Sequence, residues 1–170
     1  MLIEDDHDSG LSYVIRPMRR DELDTALQWA ANEGWKPGLY DADCFWNADP
    51  KGFFVCDLNG RMAGCISAIS YEPNFGFIGL FIVRPEYRGH RCGILLANRA
   101  MDYLKGRLIG LEGVVAKQKQ YGLAGFHHAH TNYRFASTAE APQDSPAEPI
   151  DTVPFNSILE FDALCFPAKR

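Results

Sequence analysis

No stretch of this 170-residue chain is apolar over the roughly 20 residues that a membrane helix needs; the longest apolar run, near residues 75 to 83, is far shorter. The first residues, MLIEDDHDSG, are acidic and lack the apolar core of a secretory signal. Positive charge is not in excess. The formal net charge of -5 argues against a general nucleic-acid or anionic-membrane surface. The five cysteines, Cys44, Cys56, Cys65, Cys92 and Cys165, are odd in number and contain no CxxC pair, so buried free thiols in a reducing compartment are expected. Internal repeats are absent. These absences point to a soluble, cytoplasmic protein with no nucleic-acid and no membrane partner.

What is present suits a folded domain. Hydrophobic residues make up 46% and aromatic residues 12%, enough for one core, and 23% charged residues is an ordinary share that excludes wholesale disorder. LSYVIRPM reads as a strand and RRDELDTALQWAANEGW as a helix, with Asp21 as its N-cap and Gly34 and Pro37 ending it. DADCFWNADP suggests a second short helix. Two strand-like runs meet at Asn59-Gly60, a strong hairpin signal, and FIGLFIV follows as another strand. Ile94, Ala97, Met101 and Leu104 then recur at helical spacing. RLIGLEGVV reads as a strand, KQKQYGLAG as a helix ended by Gly125, and FHHAHTNYRFAS as a last strand. Hairpins come first and strand–helix alternation second, so the class is mixed α/β.

The stretch FIVRPEYRGHRCGILL passes from strand to helix through a basic, glycine-containing turn. It lacks the GxxxxGK[ST] of a nucleotide P-loop and the GxGxxG of a dinucleotide-binding turn. Backbone N–H groups at a helix start concentrate partial positive charge and suit a pyrophosphate. The run Arg88-Gly89-His90-Arg91-Cys92-Gly93 resembles the acyl-CoA loop, [Q/R]-x-x-G-x-[G/A], of the GNAT superfamily of N-acetyltransferases. Arg88 and Gly93 match its ends, and Arg91 replaces its central glycine. Downstream, YGLAGF resembles the family's Y-x-x-x-G-F, with Tyr121 ahead of Gly125-Phe126; Val114 stands near the place of an asparagine often found there.

The resemblance covers roughly residues 11 to 137 and implies a central mixed, mostly antiparallel sheet flanked by helices and splayed at the acyl-CoA site. It implies acetyl-CoA as co-substrate and no metal. Phe81, Ile82 and Val83 would bond the pantetheine and supply an oxyanion N–H, and Arg88, Gly89, His90, Arg91, Cys92 and Gly93 would cradle the pyrophosphate. Tyr121 would protonate the departing thiolate. Glu72 or Glu112 is the candidate general base, although for each a solvated acid is the simpler reading. Trp35, Tyr40 and Asp41 fall where the family holds its acceptor, a small-molecule amine or an amine of a protein; core packing explains Trp35 as well. The expected reaction is direct attack of a primary amine in a ternary complex. The alternative is a non-catalytic acyl-CoA sensor or interaction module.

Two features stand apart. His127, His128 and His130 invite a metal site, but on a strand they would not share one face and no partner motif accompanies them. Cys92 at a helix start would have a lowered pKa, yet no histidine pairs with it recognisably. The organisation expected is an acetyltransferase domain over 1–138, a Pro- and Ala-rich linker over 139–149, and a C-terminal strand or the beginning of a second domain over 150–170. EGWKPGLYDAD and ILEFDALCFPAKR resemble a branch of the superfamily with an appended C-terminal domain. The apolar tail would dock beside the last strand or on a second copy, which favours a homodimer.

Overall fold

The computed structural model describes residues 2–6, 11–136, 138 and 147–168. Two compact units divide the chain, residues 1–112 and 113–169. In the first, six strands form one sheet in sequence order: β1 (Leu2–Asp6), β2 (Leu11–Pro17), β3 (Phe53–Leu58), β4 (Arg61–Tyr71), β5 (Phe75–Val83) and β6 (Leu108–Leu111). Neighbours are antiparallel except β5 and β6, which are parallel. The strand β1 was not expected, since an acidic end with only Leu2 and Ile3 apolar shows no alternation. Asn59 and Gly60 both adopt positive φ, 50° and 77°, the backbone that a two-residue turn between right-twisted strands requires.

Alternation along β3 sends side chains to two helical layers. Phe53 and Val55 join Cys65, Ile69 and Ile82 under α1 (Arg20–Asn32), whose Leu23, Ala26 and Ala30 recur at helical spacing and are all buried. Phe54 points the other way and meets Tyr103 of α3 (Cys92–Tyr103) edge-on at 5.5 Å. A short α2 (Asp41–Ala48) adds Trp46, stacked on Phe53 at 5.5 Å. The start of α1 lies earlier than the expected Asp21 cap. Arg19 is the N-cap, and the Glu22 carboxylate accepts its N–H at 2.8 Å while binding the Arg16 guanidinium through two bonds of 2.7 and 2.8 Å. The acid one position further in than Asp21 thus serves both the cap and the ion pair.

The second unit holds a short helix α4 (Gln118–Leu123), closed by Gly125 at φ +91°, and α5 (Phe155–Cys165). Two expectations fail here. Residues 126–136 form no strand. Their polar residues fall on both parities, His127 and Thr131 on one, His128, His130, Asn132 and Arg134 on the other, so the segment offers no apolar face to a sheet. Of the two alternatives for the apolar tail, the strand fails: the tail is a helix, in which Phe155, Ile158 and Leu159 recur at helical spacing and Pro154 stands as the N-cap. No described helix is long and apolar enough to cross a membrane.

Candidate active site

The strand β5 carries the first half of the site. Its parallel register with β6 runs from Phe75–Leu108 to Ile78–Leu111 and then ends. The parting coincides with a β-bulge. On β4, Ser67 opposes Gly79 while Cys65 opposes Ile82, so β5 gains one residue. Leu80 absorbs it at φ 44°, an uncommon conformation for a residue with a branched side chain, and Cys65 Sγ donates to the Leu80 carbonyl at 3.2 Å.

Past the bulge the direction of each main-chain group follows from one bond. The Arg84 N–H reaches Ala63 O of β4 at 3.0 Å. Alternation turns Ile82 towards β4 as well, and turns Phe81 and Val83 to the side β6 has left. The Ile82 side chain is 4% exposed and packs in the α1 core. Ile82, expected among the pantetheine-bonding residues, is therefore committed to the protein on both counts. Phe81 and Val83 present the open edge.

The cradle follows at once. A single 3-10 turn, Pro85–Tyr87, leads to Arg88, and Gly89 makes the reversal at φ +84°. Arg91 has φ -69° and ψ -18°. It needs no left-handed backbone, so the loss of the family's central glycine carries no strain. No side chain caps α3, which leaves the first-turn N–H groups of Cys92, Gly93 and Ile94 without an intrahelical acceptor. A Cβ on Gly93 would meet only Val83 Cγ2 at 3.6 Å and Phe81 Cζ at 3.8 Å, ordinary contacts, so packing does not demand glycine there. His90 and Arg91 are exposed.

Two side chains of the loop are already engaged. Arg88 Nε donates to the Val83 carbonyl at 2.8 Å, and its Nη2 pairs with Glu33. Cys92 is fully buried, with Sγ against Gly64. A hydrogen bond with Cys56, reinforced by burial, pushes its thiol pKa up, overturning the lowered value expected from the helix start. Cys92 can offer a ligand only its backbone.

The acids separate. Glu72 precedes β5 and is bound to Arg107 Nη2 at 3.3 Å, at the strand end opposite the cradle. Nine strand residues span about 26 Å at ~3.3 Å per step, so Glu72 is out of reach of the loop. Glu112 directly follows Leu111 and stands at the point where β5 and β6 part. Trp35 packs against the α1 core, Tyr40 is exposed, and the Asp41 carboxylate accepts the Gly38 N–H at 2.8 Å, closing its own loop. A cavity of about 770 Å³ opens beside this end of the sheet, lined by Trp29, Asn32, Glu33, Met62, Ile82 and Arg84 among others. Within the second unit, Tyr121 is half-buried on α4, its ring edge-on to Phe126 at 6.5 Å, and burial raises its pKa. His127, His128 and His130 are exposed, and His128 Nε2 lies 3.1 Å from Thr131 Oγ1. Among the described residues no three His, Cys, Asp or Glu are grouped to hold a metal ion.

Sequence reasoning missed the bulge and Glu33. An isolated glycine inside an apolar strand, Gly79, is a bulge signal that was available. Nothing local marks Glu33, whose partner lies 55 residues away.

Comparison with known proteins agrees with this geometry. The chain is 25% identical over 153 residues to holothin acyltransferase of Pseudoalteromonas sp., a match covering 89% of this chain and 52% of that protein. The chain spans about half the length of the curated relatives it matches. Among solved structures, Ard1 from Thermoplasma volcanium superposes with a TM-score of 0.61 at 18% identity, over 69% of this chain and 84% of its own. A Mycobacterium tuberculosis protein crystallised in complex with CoA gives 0.56 at 18%, over 72% and 76%. These structural likenesses speak for the fold. The profile of the acetyltransferase (GNAT) family matches residues 20–130, which contain α1, the bulged strand and the cradle, and on that match this chain belongs to the GNAT acetyltransferase family, whose members use acyl-CoA.

Proposed function

We propose that this chain transfers an acetyl group from acetyl-CoA to a primary amine, in one ternary complex and without a covalent enzyme intermediate. One observation carries the reading. The edge of β5 that faced β6 has no strand partner beyond Ile78 among the described residues, and the turn from Pro85 to Arg91 leads from it to an uncapped helix start. The outward main-chain groups of Phe81 and the Val83 N–H suit the amides of a pantetheine arm, the Val83 carbonyl being held by Arg88, and the α3 amides suit a pyrophosphate at its end. The roles of Arg88, Gly89, His90, Arg91, Cys92 and Gly93 then divide: backbone amides from the last two, exposed cationic or titratable side chains from His90 and Arg91, and loop geometry from Arg88 and Gly89.

The chemistry needs three things. A protonated amine has no lone pair, so a base must take one proton; Glu112, alone or through water, is assigned that role, and Glu72 is not. The amine nitrogen then attacks the thioester carbonyl, and the Phe81 N–H is the donor assigned to the developing oxyanion. As the C–S bond breaks, the departing sulfur takes a proton from Tyr121, and the second proton shed by the attacking nitrogen restores the phenol. A phenol with a pKa raised by burial holds that proton at neutral pH. Tyr40 and Asp41 on the α1–α2 connection are assigned to the acceptor, whose class is a small-molecule amine or an amine of a protein. Trp35 supports that connection from the core.

Calorimetry with acetyl-CoA, followed by thiol release with a panel of amines, tests the proposal. Binding with amine-dependent thiol release supports it. Binding without release from any amine class would favour an acyl-CoA sensor, and no binding would remove both readings.

A further inference from the structure

We propose that Glu33 is a positioning residue for the CoA cradle, acting through Arg88. Glu33 is the C-cap of α1, and its N–H bonds the Trp29 carbonyl at 3.0 Å. That helix is fixed to the sheet by Leu23, Ala26 and Ala30, each at most 2% exposed. Its carboxylate is therefore mounted on a rigid element. It holds one Nη of Arg88, and the same guanidinium's Nε ties the Val83 carbonyl at 2.8 Å. Val83 is the last residue of β5 and Arg88 the first of the cradle. The two contacts use different nitrogens of one planar group, so fixing one orients the other.

The consequence is a strut from α1 to the junction between the open strand edge and the start of α3. The edge and the helix start must stand at a set separation to hold two parts of one ligand, and the Arg88 side chain reaches back five positions along the chain to Val83. With Glu33 engaged, the Arg88 charge is spent inside the protein, and its contribution to the ligand is the shape of the loop. Without Glu33, the guanidinium is free to swing out. The inference rests on the acetyl-CoA reading above.

The test is calorimetric CoA binding by the full chain carrying Glu33→Gln, Arg88→Gln, both together, or Arg88→Lys, with melting temperatures of the CoA-free proteins. The pair is half-exposed, so its direct worth to folding is small and the melting temperatures should stay close to wild type. Each single variant should bind CoA about 3–10-fold more weakly. The double variant should be no worse than the weaker single one, because both changes break the same strut. Arg88→Lys should also lose affinity, since a lysine cannot serve both partners. Wild-type protein that fails to bind CoA would remove the cradle itself. Wild-type binding with an unchanged or tighter Glu33→Gln variant, a wild-type-like Arg88→Lys, or losses that add and follow a lowered melting temperature would each overturn the strut alone.

Discussion

Ile78 and Leu111 are the last pair at which β5 and β6 run together. One residue further, Gly79 and Glu112 part, and Leu80 takes up the extra residue that turns β5 aside. The cost of that conformation is local, and it is held by the Cys65 contact and by the buried Ile82 beyond it. A regular strand would have continued its pairing and closed the edge. The bulge thus links one backbone dihedral to the opening on which the proposed chemistry depends.

Two glycines near the cradle should respond differently. A Cβ on Gly93 finds ordinary contacts, so Gly93→Ala should keep the melting temperature while lowering CoA affinity by about tenfold or more, because the methyl occupies space a ligand needs against the amides. A Cβ on Gly64 would lie 2.9 Å from both Cys92 Sγ and the Ile82 carbonyl. Gly64→Ala should destabilise the fold by about 1–3 kcal/mol through overpacking. Denaturant titration and calorimetry on the two variants separate the effects; a Gly93→Ala protein with wild-type affinity would remove the pyrophosphate from this loop.

The fold was legible where a local rule acts. Asn59-Gly60 needs only its own turn geometry, and Leu23, Ala26 and Ala30 need only helical spacing. The change from strand to helix through the glycine-containing turn at Gly89 was legible for the same reason. What could not be read was set by pairing across the sheet. Ile82 looked equivalent to Phe81 and Val83, and its withdrawal follows from the register with Ala63 and Cys65. Glu72 looked as plausible as Glu112, and only the direction of β5 sends them to opposite ends. The strand expected over 126–137, of which 126–136 are described, and the tail helix show the reverse error, where apolar content was read without a face to bury.

The ion cluster of Arg16, Glu22 and Asp57 predicts the acid sensitivity of the fold. The Arg16 hydrogen bonds hold the Glu22 carboxyl below its ordinary 4.5. Between the two values the unfolded chain binds more protons than the folded one, so this stability is present above about 4.5 and is lost as pH falls through the depressed value. Arg16→Met should flatten that part of the acid limb. It should also cost about 2–4 kcal/mol at neutral pH, because two carboxylates lose their shared cation. Urea unfolding at a series of pH values reads both.

The tail helix carries Phe155, Phe161 and Leu164 at 70, 69 and 84% exposure. An isolated helix of 11 residues is marginal in water, and each such side chain gains ~1.5–3 kcal/mol on burial. A second copy of the chain is the proposed cover. Sedimentation equilibrium should then give a dimer for the full chain and a monomer after deletion of residues 150–170. A full chain that is monomeric, and no more stable than its truncation, would end the dimer proposal.

Tyr121→Phe removes a hydroxyl and little else. The ring contact with Phe126 and the Phe126 N–H bond to the Tyr121 carbonyl, 3.0 Å, do not need it. Folding and CoA affinity should persist, while turnover falls by roughly 10²–10⁴-fold if the phenol is the general acid. Loss of less than about threefold would make Tyr121 a packing residue of α4.

Glu112 and Glu72 give the last prediction, through pH. A base that takes the ammonium proton makes the rate rise with pH along a limb that belongs to the enzyme as well as to the amine. Glu112→Gln keeps the shape and removes the base, so the enzyme's limb should disappear and leave the amine's own titration, with turnover lowered by roughly 10²-fold or more. Glu72→Gln should leave the profile as in wild type, because its carboxylate is bound to Arg107 at the far end of β5. The pair forms an internal control: both changes neutralise one carboxylate of the same unit, and only one stands at the parting of β5 and β6. If neither variant alters the profile, a water chain takes the proton or the amine arrives neutral, and Glu112 reverts to a solvated acid at a strand end.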